Sequence, residues 1–197
     1  MASAPPKTAP STLPPLRADA RRNRDKLAEV AAAAFSETGV ETSLEDIARR
    51  AGVGIGTLYR HFPSREHLVE VVYRRELESL AAAARELAAS HPPDVALEEW
   101  MRRFVGYIAA KRGMASSLKI LMDSNASLFA EGSGILRGAA EELLSTAAAQ
   151  GFVRDDIDTT DLLHALSSIY SLPASPEWRD RSNRLIGLLM DGLRARK

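Results

Sequence analysis

Apolar side chains recur along this chain at intervals of three and four residues, and no stretch alternates apolar with polar positions as a half-buried strand does. The pattern predicts an all-α protein of about nine helices. Leu27, Val30, Ala31, Ala34 and Phe35 trace one face of a first helix, with Gly39 as its stop. A second carries Leu44, Ile47, Ala48 and Ala51. Thr42 and Ser43 both suit its N-cap, and Thr42 with Glu45 has the capping-box spacing. Gly52 then offers the positive φ that ends a helix and turns the chain, with Val53 packing inward. A third helix of about two turns runs from near Gly54 to Arg60 before Pro63 stops it. Helices that short take their stability from neighbours, and a helix-turn-helix packed on the first helix fits. Leu58 and Phe62 join Leu44, Ile47, Ala48 and Val53 in its core.

Ser64 caps a fourth helix whose apolar face starts at Leu68, Val71 and Val72 and continues through Leu77, Leu80, Ala84 and Leu87, until His91, Pro92 and Pro93 end it. It reads as a long rod between two domains. Leu97, Trp100, Met101, Phe104, Val105 and Ile108 mark a fifth helix, and a shorter one follows from Met114 to Met122. Leu136, Ala139, Ala140, Leu143, Leu144 and Ala147 mark a seventh, closed by Gly151 in the left-handed conformation. Asp158 or Thr159 caps an eighth carrying Leu162, Ala165, Leu166, Ile169 and Tyr170, which Pro173 and Pro176 break; the last carries Leu185, Leu188, Leu189 and Leu193. The first 16 residues hold five of the ten prolines and no periodicity. The expected organisation is an unstructured tail over 1–18, a helix-turn-helix domain over 19–66 and a helical C-terminal domain over 67–197.

Composition adds exclusions. The absence of cysteine removes disulfides, thiol nucleophiles and thiolate metal sites. No apolar run approaches the roughly 20 residues of a membrane span, and the N-terminus lacks the apolar core of a signal peptide, so the expected compartment is the cytoplasm, with no membrane partner. The zero net charge hides an asymmetry. Residues 1–75 carry 12 Lys and Arg against 9 Asp and Glu, whereas the rest carry 14 against 17. Arg17, Arg21, Arg22, Arg24 and Lys26, opposed by Asp19 and Asp25, form either a basic arm that touches a DNA backbone or a solvated helix start.

Residues 21–70 resemble the tetracycline-repressor-like (TetR) bacterial transcription regulators. The resemblance lies in an Ala-rich first helix ending AFSETG and in TSLEDIARRAGVGIGTLYRHFPSREHL, where the IA-x-x-AGV core, the GTLY-x-HF run and the PS-basic-E-x-L start of the fourth helix keep the family's order and spacing. It implies a homodimer that sets two recognition helices into successive major grooves of a palindromic operator in double-stranded DNA. It puts Thr42, Tyr59, His61 and Arg65 near phosphates, where they fix register, and Gly54, Ile55, Gly56, Thr57 and Arg60 on the DNA-facing helix. Ile55 can pack on a thymine methyl but offers no hydrogen bond. Gly54 replaces a hydroxyl residue frequent in the family, and Arg65 replaces lysine. Each role has a plain structural counterpart, with Thr42 as a cap and Tyr59 and His61 as fillers between helices.

The run MRRFVGYIAAKRGMASSLKILMDS, with GFVRDDIDTTDLLHAL later, is similar to the C-terminal domain of the SbtR-like subgroup. The expectation is a pocket for a small apolar or aromatic effector among Trp100, Phe104, Tyr107, Met114, Leu118, Leu121, Met122, Phe129, His164 and Tyr170, although each also suits core packing. In the resembling family the last two helices build the dimer contact, which would fall near Leu166, Ile169, Trp178, Leu185, Leu189 and Leu193.

No enzyme is expected. His61, His67, His91 and His164 are scattered, and none pairs at the helical metal-ligand spacing. Asp155, Asp156, Asp158 and Asp161 lack the glycine and terminal glutamate of a calcium loop. GVGIG has neither a preceding strand nor a P-loop lysine. No cofactor or metal is called for. The expected function is a transcription repressor released from its operator by an effector. The alternative is a helical ligand sensor or adaptor that no longer reads DNA.

Overall fold

Nine α-helices run through residues 15–38, 42–173 and 175–195, which this computed structural model describes, and among them the strand-type pairing is one isolated bridge between Val153 and Arg194. Helix α1 (Pro15–Thr38) starts inside the segment expected to be an unstructured tail. Proline is suited to a first helical turn, because its φ is already helical and its missing N–H would have had no partner there. Of the two readings of the basic stretch, the solvated helix start is the one that matches: Arg21, Arg22, Arg24 and Lys26 are exposed positions on α1. Gly39 and residues 1–14 lie outside the described residues.

α2 (Leu44–Ala51) is capped by Ser43, whose Oγ accepts from Asp46 N at 3.0 Å, so the cap is one residue later than the Thr42 capping box. Gly52 ends it at φ 71°, with Gly52 N donating to Arg49 O and Val53 N to Ala48 O. α3 (Ile55–His61) starts from Gly54, which supplies no side-chain cap, and stops before Pro63. Ser64 then caps α4 (Arg65–Ser90) through His67 N. At about 1.5 Å per residue α4 is a rod of roughly 39 Å.

The C-terminal helices are α5 (Pro93–Gly113), α6 (Ala115–Ser124), α7 (Ala126–Ala149), α8 (Thr159–Ser168) and α9 (Trp178–Leu193), with a 3₁₀ turn at Ile169–Ser171. α7 begins ten residues ahead of the apolar series that marked it. Its early turns pass Gly132 beneath α4, where a Cβ would lie 2.7 Å from Leu77 Cδ1, so close packing dictates glycine in place of an apolar repeat. The eighth helix ends at Ser168, before the expected Tyr170. Gly151 takes φ 75° as its position required.

α5 is the hub, packing on α1, α4, α7 and α9. Its Trp100 is fully buried and donates Nε1 to Leu80 O of α4 at 2.9 Å. At its other end Gly113 abuts the α1 backbone at Phe35. Of the three N-terminal helices, α1 rests directly on α5 and α4, and α2 and α3 pack on α1 and on each other.

Candidate nucleic-acid interface

α3 presents almost nothing to its own protein. Leu58 is its buried residue, locked with Ile47, Ala48, Ala51 and Phe62 in the core. Gly54, Ile55, Gly56, Tyr59 and Arg60 are exposed, Ile55 by 36% and Tyr59 by 46%, while Thr57 and His61 are half-buried. Nothing lies within 4 Å of where a Cβ on Gly54 or Gly56 would sit. A short helix whose bare face carries two glycines, an apolar branch, a phenol and a guanidinium is shaped for close backbone approach to a groove.

Basic side chains of α1 flank that face. Arg24 lies over the Phe62 ring, with its guanidinium carbon 5.5 Å from the centroid, and Lys26 Nζ reaches within 3.9 Å of a Cβ position on Gly52. His61 packs near Phe62, ring centroids 6.4 Å apart, and Phe62 meets His67 edge-on at 5.9 Å.

Two residues that the resemblance puts near phosphate are engaged within the chain. Thr42 is buried, its hydroxyl directed at Ala34 O and the Thr38 hydroxyl. Arg65 is half-buried; its Nη1 donates to Thr42 O at 2.6 Å and its guanidinium carbon stands 5.2 Å from the Phe35 ring centre. Both side chains tie the end of α1 to the start of α2 and α4. Tyr59 and Arg60 remain outward.

In the C-terminal helices, Trp100, Phe104, Tyr107, Met114, Leu118 and Leu121 are buried and Phe129 is half-buried. Tyr107 and Phe129 meet at Tyr73 of α4, with Phe104 joined through Tyr107; the sequence pattern did not single out Tyr73 because it falls between the aliphatic repeats of a helix read as a rod. Tyr73 lies 5.2 Å from the Phe129 ring and 6.3 Å from that of Tyr107. The cluster is close-packed, with cavities of about 70 Å³ beside Tyr107 and Glu76 and about 40 Å³ beside Leu77 and Gly132. Met122, His164 and Tyr170 are exposed and do not join it, which corrects the proposed pocket lining. The lost member of greatest chemical interest is His164, on the open side of α8.

Burial pushes the Glu76 carboxyl above its ordinary value of 4.5, partly offset by Arg75. Burial, reinforced by Tyr73, also raises the Tyr107 phenol, and burial lowers Lys111. For Glu76 the folded chain keeps a proton that the unfolded chain has released. Its contribution to stability is therefore present below 4.5 and lost as pH rises through the higher folded value. Glu76→Gln is expected to raise Tm relative to the parent at pH 7 and to change it little at pH 4. An equal change at both would show that the carboxylate carries no such penalty.

The expected dimer residues differ in how much surface they leave for a partner. Leu166, Ile169, Trp178 and Leu193 are buried inside one chain and Leu185 and Leu189 are half-buried, so the first four have little surface left to give a partner. The exposed member of α9 is Leu188, at 68%.

Comparison with known proteins bears on this geometry. Residues 27–72 match the family of bacterial regulatory proteins called the tetR family, and residues 92–195 match the C-terminal domain of SbtR-like transcriptional regulators. The chain belongs to the TetR family. It is similar to a TetR transcriptional regulator from Streptomyces coelicolor, at 42% identity and a TM-score of 0.79 over 88% of this chain and 99% of that one. A TetR transcription regulatory protein from Mycobacterium vanbaalenii gives 34%, 0.72, 92% and 100% in the same terms. An HTH-type transcriptional regulator of Staphylococcus aureus is 44% identical over 64 residues, and that match spans 32% of this chain and about a third of the curated relative, 35%. TetR proteins are transcription regulators and not enzymes. No described helix is long and apolar enough to cross a membrane.

Proposed function

We propose that this chain is a dimeric repressor that grips a palindromic operator with two copies of α3, in the cytoplasm, and releases it when a small apolar or aromatic effector binds the C-terminal domain. The bare face of α3 carries the reading: Ile55, Gly56, Tyr59 and Arg60 are exposed while Leu58 anchors the opposite face in the core. Residues 19–66 form the reading unit and 67–197 the sensing and dimerising unit. Leu188, flanked by Leu185 and Leu189 on α9, supplies the apolar surface for a second copy. A two-fold contact there would hold the recognition helices about one DNA turn apart, roughly 34 to 36 Å.

The effector is expected to part α4 from α5 and α7 at the Tyr73, Phe104, Tyr107 and Phe129 cluster, beside which the described cavities are about 70 and 40 Å³. Because α4 follows α3 after three residues, moving it changes the spacing of the α3 pair. By linkage, operator and effector weaken each other by the same factor. The test is fluorescence anisotropy of DNA selected from a random pool, titrated at several salt concentrations beside a scrambled duplex. Saturable binding to a palindrome, two chains per site and steeply weaker with salt, is expected. Equal affinity for the scrambled duplex would sink the reading.

A further inference from the structure

Among the described residues, two buried donors have no acceptor. The Ser175 hydroxyl and the Trp178 indole Nε1 are shielded from solvent, and neither finds a hydrogen-bond partner. Trp178 is only 7% exposed. An indole N–H can do nothing but donate, and a donor left unmet inside protein is costly. Both side chains line one open groove of about 580 Å³ between the end of α1, the end of α5 and the start of α9. That volume is typical of small-molecule sites.

The groove combines apolar walls with positive charge. Exposed Pro176 supplies apolar surface. Arg112 stacks on the Trp178 ring, its guanidinium carbon 5.1 Å from the centroid, while its Nη1 holds the Tyr170 and Leu172 carbonyls at 3.1 and 2.7 Å. Arg179, on the exposed rim, donates to Ser36 Oγ at 2.7 Å. The rim carboxylate, Glu37, is paired with Arg50 at 2.8 Å, so it does not cancel this charge.

We infer that this groove binds a small planar carboxylate, with its apolar body against Pro176 and its anionic oxygens between the Arg112 and Arg179 guanidiniums, where a shift of the covering side chains brings the Trp178 N–H and the Ser175 hydroxyl within reach. Charge-assisted bonds of this kind are the strong ones. The site is separate from the aromatic cluster of α4, α5 and α7. It spans α1 and α9, so a ligand in it favours the arrangement in which α1 rests on α5. The effect on DNA rests on the proposed function; the site itself does not.

The test is isothermal titration calorimetry of the full chain without DNA, using 2-naphthoate and its neutral counterpart 2-naphthamide. Naphthoate is expected to bind one per chain, about tenfold or more tighter than the amide. Trp178→Phe keeps the ring packing but loses the donor, so naphthoate weakens about tenfold while thermal stability holds or rises. Arg179→Glu, on the exposed rim, is expected to weaken naphthoate further and spare the amide. Equal affinity for the two probes, or unchanged naphthoate binding in Trp178→Phe, overturns the assignment. Binding of neither at millimolar concentration also overturns it, as it would if a second copy of the chain filled the groove. Since DNA is absent, these failures leave the operator reading standing, and failure of the operator test leaves this one standing.

Discussion

Gly113→Ala is expected to destabilise the protein by about 3 kcal/mol or more, a loss read as a fall in Tm of roughly 5 to 10 °C. A Cβ there would lie 1.8 Å from Phe35 O and 2.6 Å from Phe35 C. Those are backbone atoms in the last turn of a packed helix, so no rotamer change can make room. Relief comes only by shifting α1 away from α5, which also disturbs Phe35, fully buried and stacked by Arg65. The damage should fall on the junction between the N-terminal helices and the hub. Gly106→Ala on the same helix is the control, because nothing lies within 4 Å of its Cβ position. Alanine is the better helix former by up to about 1 kcal/mol, so this variant is expected to gain slightly in urea denaturation. If both substitutions behave alike, helix propensity and not the α1 contact governs position 113.

How far the sequence could be read follows from what kind of signal each feature carries. The α2–turn–α3 unit was legible because its determinants are local: a hydroxyl cap at Ser43, a left-handed glycine at Gly52 and a proline after Phe62. The start of α7 was hidden because Gly132 answers to Leu77 and Tyr73 of α4, far away in sequence. The family resemblance puts Thr42 and Arg65 near phosphate, yet a hydroxyl and a guanidinium serve an inner carbonyl equally well, and the bonds to Ala34 O and Thr42 O carry no sequence signal. Likewise an apolar helix face announces that it is covered and not by what. Trp178, Leu166 and Leu193 turned out to face their own chain, leaving Leu188 outward. Arg112, Arg179 and Ser36 gave no sequence signal, since their meeting depends on how α9 returns to α1.

Stability and DNA affinity should move in opposite directions at Gly56. The residue sits on the exposed face of α3 with nothing within 4 Å of a Cβ, and its φ is not in the left-handed region, so the fold places no demand on glycine there. Gly56→Ala is therefore expected to stabilise the free protein by up to about 1 kcal/mol. If glycine is present to let the helix backbone approach base edges, the same methyl group holds α3 off the groove and weakens operator binding. Gly56→Glu should go further. It folds as the parent does, but it carries a carboxylate into a surface lined by phosphates, where like charges in close contact cost several kcal/mol, and operator affinity is expected to fall about a hundredfold or more at moderate salt. Raising the salt should narrow the gap between Gly56→Glu and the parent, because repulsion is screened while the parent loses its own phosphate contacts. Thermal melts and anisotropy titrations of the three proteins decide the matter together. Glutamate tolerated without loss of DNA binding would mean that α3 is not the element in the groove.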